Sequence, residues 1–87
     1  MSEMNFKKVG QTFQVAMTKE GAWWYVFAPG TPVASQGQTE EEALFMIKDA
    51  LELGFEISGV EVENITNTPE GQTAIQKELA DLAQVDY

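Results

Sequence analysis

The chain contains no cysteine, no histidine and no arginine, and its cations are five lysines. Missing cysteine excludes a disulfide framework and thiol chemistry. Missing histidine leaves no imidazole for proton transfer near neutral pH, and the two absences together remove thiolate and imidazole metal ligands. Missing arginine removes the planar fork that grips phosphate and reads guanine, so direct binding to nucleic acid is not expected. Long hydrophobic runs are absent too: no stretch approaches the roughly 20 apolar residues of a membrane span. The opening run Met1 to Lys8 has no apolar signal core. The reading is a cytoplasmic, soluble protein with no membrane partner.

Acidic residues dominate what is present. Fourteen Asp and Glu against the five lysines give a net charge of −9 on 87 residues. A charge of that size repels phosphate and hastens encounter with basic proteins. A chain of this length buries roughly 60% of its unfolded surface, enough for one small core. The 44% apolar and 22% charged composition belongs to a globular domain. No linker, repeat or low-complexity tract divides it, so residues 1–87 form a single domain, with a core over about 12–65 and a C-terminal helix over about 69–85.

Period-two alternation places Phe13, Val15 and Met17 on one face of a first strand, Thr12 to Thr18. Lys19-Glu20-Gly21 turns the chain into Ala22-Trp23-Trp24-Tyr25-Val26-Phe27-Ala28, a strand apolar on both faces. Such a strand belongs in the interior of a sheet, covered twice. After the turn Pro29-Gly30-Thr31-Pro32, Val33 to Gln36 reads as a short third strand stopped by Gly37. Thr39 followed by Glu40-Glu41-Glu42 is a capping box: the threonine oxygen accepts from the amide three residues on, and Glu42 reaches back. Ala43, Leu44, Ile47, Ala50 and Leu51 then form one buried stripe, flanked by Met46 and Leu53, and Gly54 ends the helix. Phe45 falls opposite that stripe, beside Lys48, Asp49 and Glu52, an unusual place for an aromatic ring. Phe55 to Glu63 alternates again across Ser58-Gly59, as one bulged strand or two short ones. Thr68-Pro69 opens a last helix with Ile75, Leu79 and Leu82 on a narrow stripe, which Gly71 weakens unless the helix docks.

The run Ser35-Gln36-Gly37-Gln38-Thr39-x-Glu41-Glu42-Ala43-Leu44, continuing through Ile47-Lys48-Asp49-Ala50-Leu51-Glu52-Leu53, resembles the signature of HicB-like antitoxin domains. In that family an aromatic-rich hairpin leads through a proline turn into S-x-G-x-T-x-E-E-A and an amphipathic helix. The similarity covers about residues 12–53. It implies an α+β fold: a small antiparallel sheet of three to four strands with one main helix packed on it, a reduced RNase H-like βββαβ layer, here with an added C-terminal helix. Two departures stand out. The family's usual Pro-x-Leu-Pro-Gly-like turn is Pro29-Gly30-Thr31-Pro32 here, and residues 55–87, with Lys77 as their one cation, do not suit the DNA-binding domain that many members carry. Autoregulation on DNA is therefore not expected.

Catalysis finds little support. RNase H-like folds place metal-binding carboxylates on strands, and the strands here offer only Glu56, Glu61 and Glu63, which read as solvated strand charges. No base stands ready to activate a serine or threonine. No enzyme activity, cofactor or metal is expected. Asn64-Ile65-Thr66 matches a glycosylation sequon by chance.

Binding fits better. Trp23, Trp24 and Tyr25 are either plain core or an oligomer interface on a sheet face that one helix leaves open. Phe45 is either covered by the C-terminal helix or an anchor for a partner, with Glu41, Lys48, Asp49, Glu52, Glu61 and Glu63 supplying the charged surround. The favoured reading is a non-enzymatic acidic module that inhibits a basic nucleic-acid-acting protein by occlusion. In the form the resemblance implies, it is an antitoxin neutralising an mRNA interferase toxin. Two alternatives are a phage-encoded inhibitor of a host defence nuclease, of the anti-CRISPR or anti-restriction kind, and a homodimer with a structural or small-ligand-binding role.

Overall fold

In the computed structural model of the protein, residues 10–84 are described, the last three of them as backbone only. The order is β1 (Thr12–Glu20), β2 (Trp23–Phe27), β3 (Ala34–Gly37), α1 (Glu40–Phe55), β4 (Glu61–Asn64) and α2 (Pro69–Gln84). The α+β class and the main helix on a small sheet are as the sequence predicts. The four strands lie in the order β3-β2-β1-β4, so aromatic-rich β2 is interior.

The sheet is mixed rather than fully antiparallel, because β4 pairs with β1 in parallel. The cause is α1: a strand that follows a crossover helix runs in the direction of the strand before it, and β3 already runs parallel to β1. The hairpin between β1 and β2 is tighter than the sequence suggests. Glu20 pairs with Trp23, leaving a loop of Gly21 and Ala22 with Gly21 at φ 63°. β3 includes Gly37 instead of stopping before it.

Both faces of the sheet are covered. Val15 and Met17 from β1, Val26 of β2 and Ala28 just beyond it meet Ala43, Ile47 and Leu51 of α1, with Ile57 and Val60 closing the layer. A smaller core on the other face joins Ala16, Phe27, Ile65 and Ile75, with Tyr25 and Ala74 against it. Alternation along β1 and β2 thus feeds two helices, which accounts for a strand apolar on both sides.

Helix α1 begins as expected, with the Glu42 amide donating to Thr39 Oγ1 at 3.0 Å. The return half of the cap differs: Glu42 Oε1 accepts from the Gln38 amide at 2.8 Å, one residue further out. At the other end the helix passes through Gly54, where the sequence predicts its end, to Phe55, and the left-handed residue is Glu56 at φ 56°, so the strand predicted from Phe55 begins only at Glu61. The Ile57 amide then donates back to the Glu52 carbonyl, the wrap that closes a helix C-terminus.

Helix α1 runs over β3, and glycine makes the approach possible. A β-carbon on Gly37 would stand 2.5 Å from the Ala43 nitrogen. The same holds for α2, where a β-carbon on Gly71 would collide with the Ile65 carbonyl oxygen. Gly71, a helix-weakening residue by propensity, is therefore what lets α2 dock. Thr68 caps it, accepting from the Gly71 amide at 3.0 Å and donating to the Ile65 carbonyl at 2.7 Å. Of its expected stripe, Ile75 is buried and Leu79 half-exposed, while the Leu82 side chain lies outside the described residues.

Where the β4 ladder ends, Thr66 extends it with its side chain. Its hydroxyl accepts from the Met17 amide at 3.0 Å, while Asn64 Oδ1 accepts from the Thr66 amide at 3.0 Å. The sequon residues are thus engaged in holding the sheet.

Candidate protein-docking surface

The stripe that buries Ala43, Ile47 and Leu51 turns the remaining face of α1 to solvent. Phe45 sits on that face, 66% exposed, and α2 is on the far side of the sheet, so it does not cover the ring. Exposing a phenylalanine forgoes about 2 kcal/mol of available burial, and the exposure gains meaning when other apolar side chains join it in a patch. Leu53 is 74% exposed and Met46 39% exposed on the same outer half of the helix. By the helical wheel, Phe45, Asp49 and Leu53 follow one another at four-residue steps, and Met46 and Leu53 stand two turns apart on one flank.

Carboxylates frame these apolar side chains. Glu40, Glu41 and Glu42 lie in the first turn, where they favour the helix dipole. Asp49, Glu52 and Glu56 lie toward the other end, whose last turn has no basic residue. Negative charge at a helix C-terminus opposes the dipole, so these three raise the local negative potential at some cost to stability. They line a shallow cavity of about 380 Å³ together with Leu53, Ile57 and Ser58. Its chemistry, acidic walls on an apolar floor, matches a lysine or arginine whose stem packs while its charge pairs.

The surround is not uniform in role. Glu52 Oε2 accepts from the Val60 amide at 3.1 Å and lies 3.6 Å from Lys48 Nζ. Val60 is fully buried, so Glu52 fastens the start of β4 to α1 and is a structural carboxylate as well as a surface one. Glu41 and Asp49 are exposed on the helix surface.

Glu41, Phe45, Lys48, Asp49 and Glu52 therefore share one surface. Glu61 and Glu63 do not join them. They pair with Thr12 and Gln14 of β1, and alternation with inward-facing Val62 turns them to the opposite side of the sheet. The aromatic trio of β2 is likewise divided. Trp24 packs on the α1 core with Lys19 Nζ 5.6 Å from its ring, whereas Tyr25 faces α2, and Trp23 is 41% exposed at the start of the strand. The Tyr25 hydroxyl donates to Glu78 Oε2 at 2.6 Å. Partial burial, then that hydrogen bond, then the carboxylate charge push its pKa up to about 12. Phe55, half-exposed at the end of α1, stacks on Phe13 with ring centroids 5.4 Å apart.

The exposed pair Met46 and Leu53 is the part of this surface that periodicity assigns to the margin of the core. Their positions on the wheel, beside the stripe but outside it, carry the signal. Among the described residues no group of three or more carboxylates converges as a metal site would require, and no helix is long and apolar enough to cross a membrane. No protein-family model, curated protein or solved structure matches this chain.

Proposed function

We propose that the protein is an acidic binding module that inhibits a basic, nucleic-acid-acting protein by occluding its functional surface. The observation that carries this reading is Phe45, 66% exposed on a helix face that it shares with Glu41, Asp49 and Glu52. An aromatic anchor inside a charged frame is the arrangement by which a few residues supply most of the binding energy while charge selects the partner. A phosphate-binding groove on the partner is the complementary surface: basic, and closed to its substrate once an acidic helix lies in it. With the HicB-like run from Ser35 to Leu53, the nearest form of the proposal is an antitoxin against an mRNA interferase. An inhibitor of a defence nuclease would use the same face, and the identity of the target separates the two.

The test is co-purification of tagged protein with its partners from the source cell at low and high salt, followed by a nuclease assay. A small basic nuclease, retained at low salt and inhibited in the assay by the wild type but not by Phe45→Ala, is the expected result. Recovery of the protein alone, with mass rising with concentration, would replace this reading with a homo-oligomer.

A further inference from the structure

The two edges of the sheet differ in chemistry. At one edge, β4 carries the exposed carboxylates of Glu61 and Glu63, and edge charges of this kind discourage another strand from adding. At the other edge, β3 reads Ala34-Ser35-Gln36-Gly37, with no charge and no proline. Its hydrogen-bonding phase follows from the Ala28 amide donating to the Val33 carbonyl at 3.1 Å, in register with the Val26–Ser35 and Trp24–Gly37 pairs. Alternation then directs the backbone groups of Ser35 and Gly37 to β2, and the amides and carbonyls of Ala34 and Gln36 outward.

The space beyond that edge has an apolar roof. Glu52 bonded to Val60, and Phe55 stacked on Phe13, fix one flank of α1 toward β1 and β4. The opposite flank, with Met46 and Leu53, therefore lies on the β3 side. Close approach of the helix at Gly37, and of Gly54 to Val33, carries that flank to the margin of the sheet. Met46 and Leu53 are seven residues apart, about 10 Å along the helix, which is the length of about three residues of extended chain.

We infer that the β3 edge accepts an extended, basic segment of the partner as a fifth strand, paired through Ala34 and Gln36 and packed beneath Met46 and Leu53. Backbone pairing supplies affinity in such strand addition, and alternate side chains supply selectivity. Apolar side chains of the incoming strand meet the α1 flank. By alternation its basic side chains turn to the other face of the sheet, toward Glu78 and Asp81, which line a cavity with the Pro29-Gly30-Thr31 turn into β3. A second copy of this chain is the poorer occupant, because pairing would bring together two molecules of charge −9. Only the basic character of the occupant rests on the function proposed above; the open edge and its roof do not.

The test uses the full-length, 15N-labelled protein and capped synthetic peptides of about eight residues, the length of an ordinary strand, alternating Val with Lys or Val with Glu. The Val/Lys peptide is expected to shift the Ala34 and Gln36 amides, to slow their hydrogen exchange, and to shift the Met46 and Leu53 methyls. It should bind at least about tenfold more tightly than the Val/Glu peptide. Gln36→Pro, which deletes an outward amide and leaves the β2 ladder intact, should abolish that protection. Leu53→Ala, at an exposed position that does not support the fold, should weaken the same binding. Shifts confined to Phe45 and Asp49 would overturn the edge site while leaving the basic-partner reading standing. Equal binding of both peptides at the edge would overturn the charge selection. Edge shifts that depend on protein concentration without peptide would make a second copy the occupant, and no response to either peptide would overturn the proposal.

Discussion

At the scale of single residues, two backbone positions carry opposite burdens. Glu56 occupies the left-handed region at φ 56°, where a side chain costs about 1 kcal/mol that glycine does not. Its carboxylate also stands at the negative end of α1. Glu56→Gly should therefore raise stability by about 0.5–1 kcal/mol, the backbone relief being partly offset by the freer unfolded chain. A higher urea midpoint with unchanged slope is the expected reading. Gly71 is the reverse case. It is buried where α2 crosses the Ile65 carbonyl, and even a methyl group must push the helix away. Gly71→Ala improves helix propensity, yet should cost about 2 kcal/mol or more. If the loss comes from undocking α2 and exposing Tyr25 and Phe27 in the native state, the urea slope will fall as well.

At the scale of elements, α2 depends on Tyr25 as well as on Ile75. The folded phenol titrates near 12 against an ordinary 10.0, so the unfolded chain gives up this proton first. The contribution is fully present below about pH 10 and is lost as pH rises toward about 12. Because the group is only partly buried, solvent screening limits it to about 1 kcal/mol. Urea titrations of wild type and Tyr25→Phe at about pH 9 and pH 12 should show a gap that closes at the higher pH. This docking also marks the limit of what is legible in the sequence. Strands β1 to β3, both helices and their N-caps at Thr39 and Thr68 follow from alternation, a 3.6-residue stripe and capping chemistry, all local signals. The alternation from Phe55 to Ile57, by contrast, makes no strand, because α1 runs on through Gly54 to Phe55. The parallel pairing of β4, the role of Gly71 and the bond from Val60 to Glu52 are not local. Each depends on residues distant in sequence, and Gly71 in particular has a local propensity that argues against its structural use. Phe45 was legible as an oddity on the wheel, but its exposure depended on which face α2 would cover.

At the scale of the whole molecule, charge is the property that the proposed interface has to explain. A net −9 on 87 residues weakens the compact state by self-repulsion, and the uncompensated C-terminal turn of α1 adds to that cost. If the charge serves solubility alone, its placement is free, and reversing any exposed carboxylates should affect partner binding alike. If it steers a basic partner to α1, placement matters. The choice of sites must avoid Glu42 and Glu52, whose carboxylates accept backbone amides of Gln38 and Val60, since reversing those would destabilise the fold and confuse the result. Glu41 and Asp49 are suitable, and Glu61 and Glu63, on the other side of the sheet, are the matched control. Glu41→Lys with Asp49→Lys should slow association with the proposed basic partner about tenfold and flatten its salt dependence. Glu61→Lys with Glu63→Lys, which makes the same change in net charge, should slow it far less. Stopped-flow or surface-capture rates across a salt series distinguish the outcomes. Equal slowing by the two pairs would assign the effect to net charge and remove α1 as the steering surface, while unequal slowing ties the acidic composition to the helix that bears Phe45.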